Sequence, residues 1–421
     1  MLLAQQPAGE YKQRVLEATE VDFLTSYYTQ DGDNAAVTGG SGTEKLTDYT
    51  AALIVAIPLN DDDVLSIDGS ISAYTSASSS NIDPFDESHP GDAFVASTGA
   101  SQSDSWINLS ASYTHNSDDR NQVWSGKVSV SSEFDYFSFG IGGNYARQFN
   151  EKNTEVSVHG NVYFDNWSTV YPIELRPFES GGRGLDDPFF HRHTITGNPN
   201  YDPQFTAFTD TKRTSYSGGF GFTQILSKNL QGALAFDAIY QEGLLSTPFQ
   251  RVYFSDIDPS YIENFRLADD IERLPDTRLK LAFGGRLNYF LNEHIVVRTF
   301  YRYYTDDWGV QSHTASIEVP IKIGQRFTVY PSYRYYSQTA ADYFAKFSEH
   351  LSSDAFYTSD YDLSAFNANQ YGLGVTYTDI FTNFNIWKLG LKSIDLKLNH
   401  YTRDNGFAAS IVSAGFKFVM Q

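Results

Sequence analysis

The chain has no cysteine, and across its 421 positions it carries 30 basic residues against 51 acidic ones. Without thiols there are no disulfides, no thiolate zinc sites and no cysteine nucleophile. A formal net charge of −21 leaves no basic footprint for a phosphate backbone, so nucleic acid is not expected as a partner. Long apolar runs are missing too. The best stretch, YTAALIVAIPL, stops at Pro58 and the Asp61–Asp63 run, short of the roughly 18 residues that a spanning helix needs. His115, His159, His294, His313, His350 and His400 are scattered, and none stands in a recognisable nucleophile context, so catalysis is not expected. The opening MLLAQQPAGEYK has a small residue at Ala4 but no charged leader, and residues 1–16 read as an N-terminal periplasmic segment or signal remnant.

What is abundant is aromatic: 29 Tyr, 32 Phe and 5 Trp, interspersed with Ser, Thr, Gly and Asn, which favours strands over helices. The stretch TRLKLAFGGRLNYFL shows how they are used. Leu279, Leu281, Phe283, Leu287 and Tyr289 alternate with Arg278, Lys280, Arg286 and Asn288. The following segment sets Val297, Tyr301 and Tyr303 against Arg298, Arg302 and Tyr304. Period-2 alternation recurs in LSIDGSISAY, WINLSASY, WSGKVSVSSE, EVSVHGNVYF, LQGALAFDAIY, KSIDLKLNHY and ASIVSAGFKF.

The connections carry a second pattern. Short polar turns (LNDDD, NSDDRN, NEKN, LSKN, LNEH, IGQR) alternate with mostly long segments at about 31–45, 76–103, 168–211, 244–276 and 340–367. Two connections on the long side, at 133–136 and 306–309, are short. Short turns at one end and long loops at the other mark an all-β, transmembrane, antiparallel up-and-down barrel of the bacterial outer membrane, in contact with its lipid. Sixteen strands fit between residues 17 and 419, with fourteen to eighteen bracketed by the awkward FTNFNIWKLGLK. Residues 17–421 then form one barrel domain. Rings near strand ends, among them Tyr27, Tyr28, Tyr74, Tyr113, Trp124, Phe149, Trp167, Tyr303, Tyr304, Tyr335, Tyr336 and Tyr401, fit interfacial girdles. The Gly pairs at 39–40, 142–143, 181–182, 218–219 and 284–285 precede no helix, so close packing or sheet bending explains them better than phosphate binding.

With the apolar face assigned to lipid, the polar face lines a lumen. Arg278, Lys280, Arg286, Arg298, Arg302 and Arg334 form a basic arc, and Asp22, Asp68, Glu133, Glu155, Asp165, Asp237 and Asp395 provide inward acids. Such charges either pair across the lumen or set up a field that tunes permeation. The biochemical role this pattern points to is a pore for small solutes with a charged lumen. The alternative is a plugged, non-conducting subunit of a multi-protein outer-membrane complex, binding envelope partners through its long outer loops. The loop 168–211 has no helical or strand texture, and its Pro, Phe and Tyr content argues for order within or over the lumen. Its Asp186, Asp187, His191 and His193 are a candidate divalent or transition-metal cluster, although no established ligand spacing is present. The acids Asp83, Asp86, Glu87 and Asp92, with His89, form a second hard-oxygen cluster. No other cofactor is expected.

Three phrases carry a family resemblance: EYKQRVLEATEVDFLTSYYTQDGDNAAVTGGSGTEKLTDYT, IPLNDDDVLSIDGSISAYTSASSSNIDPFD and SYTHNSDDRNQVWSGKVSVSSEFDYFSFGIGG. They resemble an uncharacterised, domain-of-unknown-function family of bacterial outer-membrane β-barrel proteins, from about Glu10 to Gln421. That family is often encoded beside a thioredoxin-like protein, a small lipoprotein and a flavin transferase. The resemblance implies an envelope assembly of redox or trafficking character, and it brings no functional residues with it.

Overall fold

The computed structural model describes residues 14–74 and 104–420. Residues 1–13, and with them most of the 1–16 segment, lie outside the described residues, as does the cluster at Asp83, Asp86, Glu87, His89 and Asp92. Sixteen antiparallel strands close on themselves. They are β1 Glu20–Asp31, β2 Leu46–Pro58, β3 Asp63–Tyr74, β4 Asp104–Asn116, β5 Gln122–Ser132, β6 Tyr136–Phe149, β7 Thr154–Trp167 and β8 Lys212–Ser227. The second half is β9 Leu230–Gly243, β10 Thr277–Phe290, β11 Val296–Asp306, β12 Gln311–Glu318, β13 Phe327–Gln338, β14 Phe366–Thr378, β15 Leu389–Arg403 and β16 Ala408–Met420. The β1–β16 ladder, from Glu20↔Val419 to Asp31↔Ala408, closes the cylinder and leaves no unpaired edge.

The predicted count of sixteen is what the fold contains. Pro320 has no N–H for the ladder, so β12 breaks there and resumes as a short extension at Ile321–Ile323. The FTNFNIWKLGLK region resolves into a ten-residue turn, 379–388, whose Asn385–Ile386 folds back on Leu389 and Gly390. Arg14 Nε reaches Asp61 Oδ1 at 2.8 Å, tying the start of the described chain to the short-turn end.

The outer face is apolar and exposed, the reverse of a water-soluble sheet. Leu53, Leu109, Leu234, Leu373 and Val412 are 46–63% exposed on strands whose polar residues point the other way. A closed barrel with such a belt satisfies every backbone group internally and presents hydrocarbon outward, which places the protein in the bacterial outer membrane. The ring residues expected in girdles divide between the faces. Tyr27, Tyr113, Trp124, Phe149, Tyr303 and Tyr335 point outward, while Tyr28, Trp167, Tyr304, Tyr336 and Tyr401 share the inward phase of their strands. Adjacent rings such as Tyr27 and Tyr28 must take opposite faces, because the strand alternates at every residue.

Candidate functional site

The registers place the whole basic arc on the inner face. Arg286, Phe300, Ser316 and Arg334 form one row across β10 to β13, and the row continues to Gln370 on β14 and Tyr401 on β15. Arg302 sits one inward position above Phe300, and Arg298 one below. Arg278 and Lys280 stand nearer the long-loop end.

These cations are not equivalent. Arg278 gives Nε to Asp306 Oδ2 at 3.0 Å, and its guanidinium lies 4.1 Å from the Trp308 ring centre. Arg298 donates to Glu318 Oε1 at 3.0 Å, and Lys397 approaches the other oxygen at 3.8 Å. Arg278 and Arg298 therefore pair with the next strand along the wall, while Lys397 approaches Glu318 from three strands away. Asp306 and Glu318 were missed as partners; the inward phase of β11 and β12 would have shown them. Arg286, Arg302 and Arg334 have no carboxylate partner among the described residues, and Arg286 only approaches the Phe300 ring at 5.9 Å. All three are exposed although they point into the barrel, as are Lys127, His159 and Arg298. At that depth no described residue covers these side chains.

The acidic positions are spread around the rest of the wall. Asp165 holds Arg213 Nε at 2.7 Å, Glu155 accepts from Gln148 Nε2 at 2.9 Å, and Asp22 lies 3.7 Å from Lys417 Nζ. Asp395 accepts from the Tyr330 hydroxyl and, at 2.6 Å, from Thr376 Oγ1. Asp68 faces inward between Ile54 and Ser110. Asp237 meets His159 Nε2 at 3.2 Å by reaching across β8. That contact needs Gly219, which stands between them in the register; a Cβ there would lie 2.2 Å from His159 Cε1 and 2.4 Å from Asp237 Oδ1. The second glycine of the 218–219 pair is thus a close-packing residue.

Over the long-loop end the connections fold into a cap. The segment 168–211 is not textureless: it holds single turns at Arg176–Phe178, Gly184–Asp186 and Pro188–His191, and a strand at Ile195–Gly197 that pairs with Ser260–Ile262. Tyr171, Leu175, Phe190, Tyr201 and Phe205 pack against Tyr253, Ile262, Phe265, Leu267 and Ile271 of the 244–276 loop. Val252 and Phe254 bury Tyr357 of the loop before β14. At the centre, Arg251 gives Nε to Glu174 Oε1 at 2.7 Å and Nη2 to Oε2 at 3.1 Å, and its Nη1 holds Val37 O at 3.1 Å. One fully buried guanidinium thus ties three loops together, a link no local pattern announced. Burial, with the nearby Asp360 second, pushes the Glu272 carboxyl up to about 8, while Thr247 N and Thr358 Oγ1 hydrogen-bond to it.

The expected metal cluster does not assemble. Asp187 caps the turn at Pro188–His191 by accepting from Phe189 N at 2.9 Å, and the His193 ring packs 5.3 Å from that of Phe189. Among the described residues no group of three or more His, Asp or Glu side chains has metal-holding geometry. Asp187 and His193 are thus engaged with a local backbone N–H and a local ring.

The profile of the family described as "Protein of unknown function (DUF3570)" matches residues 8–412. The chain belongs to that family. No curated protein matches the chain in sequence. Among solved structures, a bacterial polysaccharide outer membrane secretin is similar over 96% of this chain and 99% of its own, at 9% identity and a TM-score of 0.46. A BenF-like porin from Pseudomonas fluorescens Pf-5 covers 96% and 100% at 8% identity and 0.40, and a Pseudomonas aeruginosa FadL homologue 96% and 91% at 10% and 0.42. Likeness at this level is one of general barrel shape, and no activity of this DUF3570 protein is drawn from it.

Proposed function

We propose that the protein is a channel for small solutes whose wall charges favour anions at mid-depth and whose folded loops narrow the outer mouth. The observation that carries this reading is the set Arg286, Arg302 and Arg334: three guanidinium groups, exposed on the inner face of the barrel, without carboxylate partners among the described residues. A stave of uncompensated charge in a low-dielectric wall focuses field into the water column beside it. A lumen built only to be filled would pair or bury these groups. Purified protein in a planar bilayer should open discrete channels in potassium chloride; a folded barrel that never conducts would sink the reading.

A second reading, a partner-binding subunit of an envelope complex, is favoured by a different surface from the one the sequence pointed to. The periplasmic turn 379–388 exposes Trp387 at 98% and Phe381 at 71%, beside Phe384 and Ile386, whereas the outer loops 168–211, 244–276 and 340–367 pack on one another. Mild-detergent pull-down from native membranes tests it. A subunit retained by the native chain and lost from Phe381→Ser/Trp387→Ser supports a complex, and a clean barrel in both counts against it.

A further inference from the structure

Between the underside of the cap and the inner wall of β1, β14, β15 and β16 lies a cavity of about 530 Å³. Four carboxylates line it: Glu44, Glu133, Asp360 and Asp362. The one cation on its wall is Arg403, which gives Nη1 to Asp362 Oδ1 at 2.7 Å and Nε to the Tyr401 hydroxyl at 3.0 Å, with the Phe407 ring 4.5 Å from its carbon. We propose that this cavity binds a small organic ammonium, an N–H-bearing cation on a hydrocarbon or aromatic body.

Charge is the first argument. With all four carboxylates ionised, one guanidinium leaves the cavity three charges short of neutrality. Segment 75–103, the long connection outside the described residues, contains no lysine or arginine to make up the difference. Existing hydrogen bonds to the acids are few: Asn34 N to Glu44 Oε2 at 3.1 Å, and Asp362 N and Gln250 Nε2 to Asp360 at 2.9 and 3.2 Å. The Glu133 carboxylate has no side-chain ion pair among the described residues.

A second observation points to a ligand with a donor. Gln250 lines the cavity, is only 9% exposed, and its Oε1 has no hydrogen-bond partner among the described residues. A buried amide oxygen without a donor costs about 1–3 kcal/mol, and an N–H from a ligand would remove that cost. The remaining walls favour an organic cation over a bare one. Tyr28, Tyr401, Phe249 and Phe407 supply ring surface for cation–π and apolar contact. The volume matches that of pockets for small molecules. The carboxylates are not gathered as metal ligands.

Burial, ahead of Asp135, raises Glu133 to about 7, and burial, ahead of Asp362, raises Asp360 to about 6; burial also raises Glu44. Each would bind the ammonium only when ionised. Arg403, Tyr28 and Tyr401, with the amides of Gln30, Gln250 and Gln370, are the other polar groups on the cavity wall. Affinity should therefore climb as pH rises through that window. The site does not depend on conduction, since a closed barrel could still fill it.

Titration calorimetry on the full-length barrel in detergent, with phenethylammonium as probe, is the test. At pH 8 it should bind saturably, while phenylacetate should not, and affinity should fall at least about tenfold at pH 5.5. Glu133→Gln and Asp360→Asn, each checked as folded by heat-modifiable gel mobility, should each weaken binding by roughly tenfold, the scale of one charged partner. Trimethylation of the probe nitrogen, which removes the donor for Gln250 Oε1, should also weaken it. The proposal is overturned by absence of saturable binding at millimolar probe, by equal binding of phenylacetate, by tighter binding of calcium at the same residues, or by full affinity in both folded variants.

Discussion

Removing the carboxylate of Glu174 should unlock the cap. Glu174 and Arg251 are 0% and 1% exposed, so Glu174→Ala leaves a guanidinium buried with Val37 O and the Phe265 ring as its remaining contacts. Breaking one side of a buried ion pair costs about 3–5 kcal/mol. If that cost falls on cap opening alone, the open fraction rises by roughly two to three and a half orders of magnitude. Hydrogen exchange read by mass spectrometry over 244–276 reports it, because the Arg251–Val252 and Asp270–Ile271 ladder exchanges only when the cap opens. The paired replacement Glu174→Leu/Arg251→Met removes both charges and should cost far less than the single change, as apolar substitutes for buried pairs commonly do. Equal exchange in wild type and Glu174→Ala, or a double variant as loose as the single one, would refute the assignment of this pair as the tie between loops.

The cap should also respond to rising pH. Glu272 has its carboxyl raised from 4.5 to about 8, so its contribution to stability is full below the unfolded value, falls as pH rises from there and is gone above about 8; exchange over 244–276, normalised to the intrinsic rate at each pH, should accelerate from about pH 5 to 8 and level off above it, and Glu272→Gln should flatten that rise. At β8, Gly219→Ala places a methyl on the His159–Asp237 contact. It should cost about 1–3 kcal/mol of barrel stability, measured as a lower urea midpoint for loss of compact gel mobility in lipid vesicles, with Gly218→Ala, whose nearest contact is His159 O at 3.7 Å, as the mild comparison.

Most of the barrel was legible because a tilted strand between lipid and water repeats every two residues. Arg278, Lys280 and Arg286 alternate with Leu279, Leu281 and Leu287, so a single assignment of lipid to the leucine face fixes the direction of all the rest. The strand count followed from turns such as LSKN and LNEH, where the hairpin is local. Rings were less legible: the pair Tyr27 and Tyr28 looks alike in composition and differs only in phase. An ordered loop within or over the lumen was legible from its Pro, Phe and Tyr content, but the ties that hold the cap were not. Glu174 and Arg251 lie 77 positions apart, Tyr357 finds Asp270 across 87, and Arg403 at the end of β15 meets Asp362 of the loop before β14, so no periodicity links them. In the loop at 168–211, Asp186, Asp187, His191 and His193 are near in sequence, yet Asp187 caps a turn and His193 packs on Phe189, and no group of three or more such ligands forms among the described residues.

The central claim is that an open, positively charged stave governs passage through the barrel. Zero-current potentials across a planar bilayer, under a tenfold potassium chloride gradient, test it most directly. The wild-type channel should conduct with a potential of the sign for chloride preference, and Arg286→Glu/Arg302→Glu/Arg334→Glu, folded by gel mobility, should move it toward potassium preference. A conducting wild type whose potential is unmoved by reversing all three charges, or a folded barrel with no conductance at all, would contradict the account.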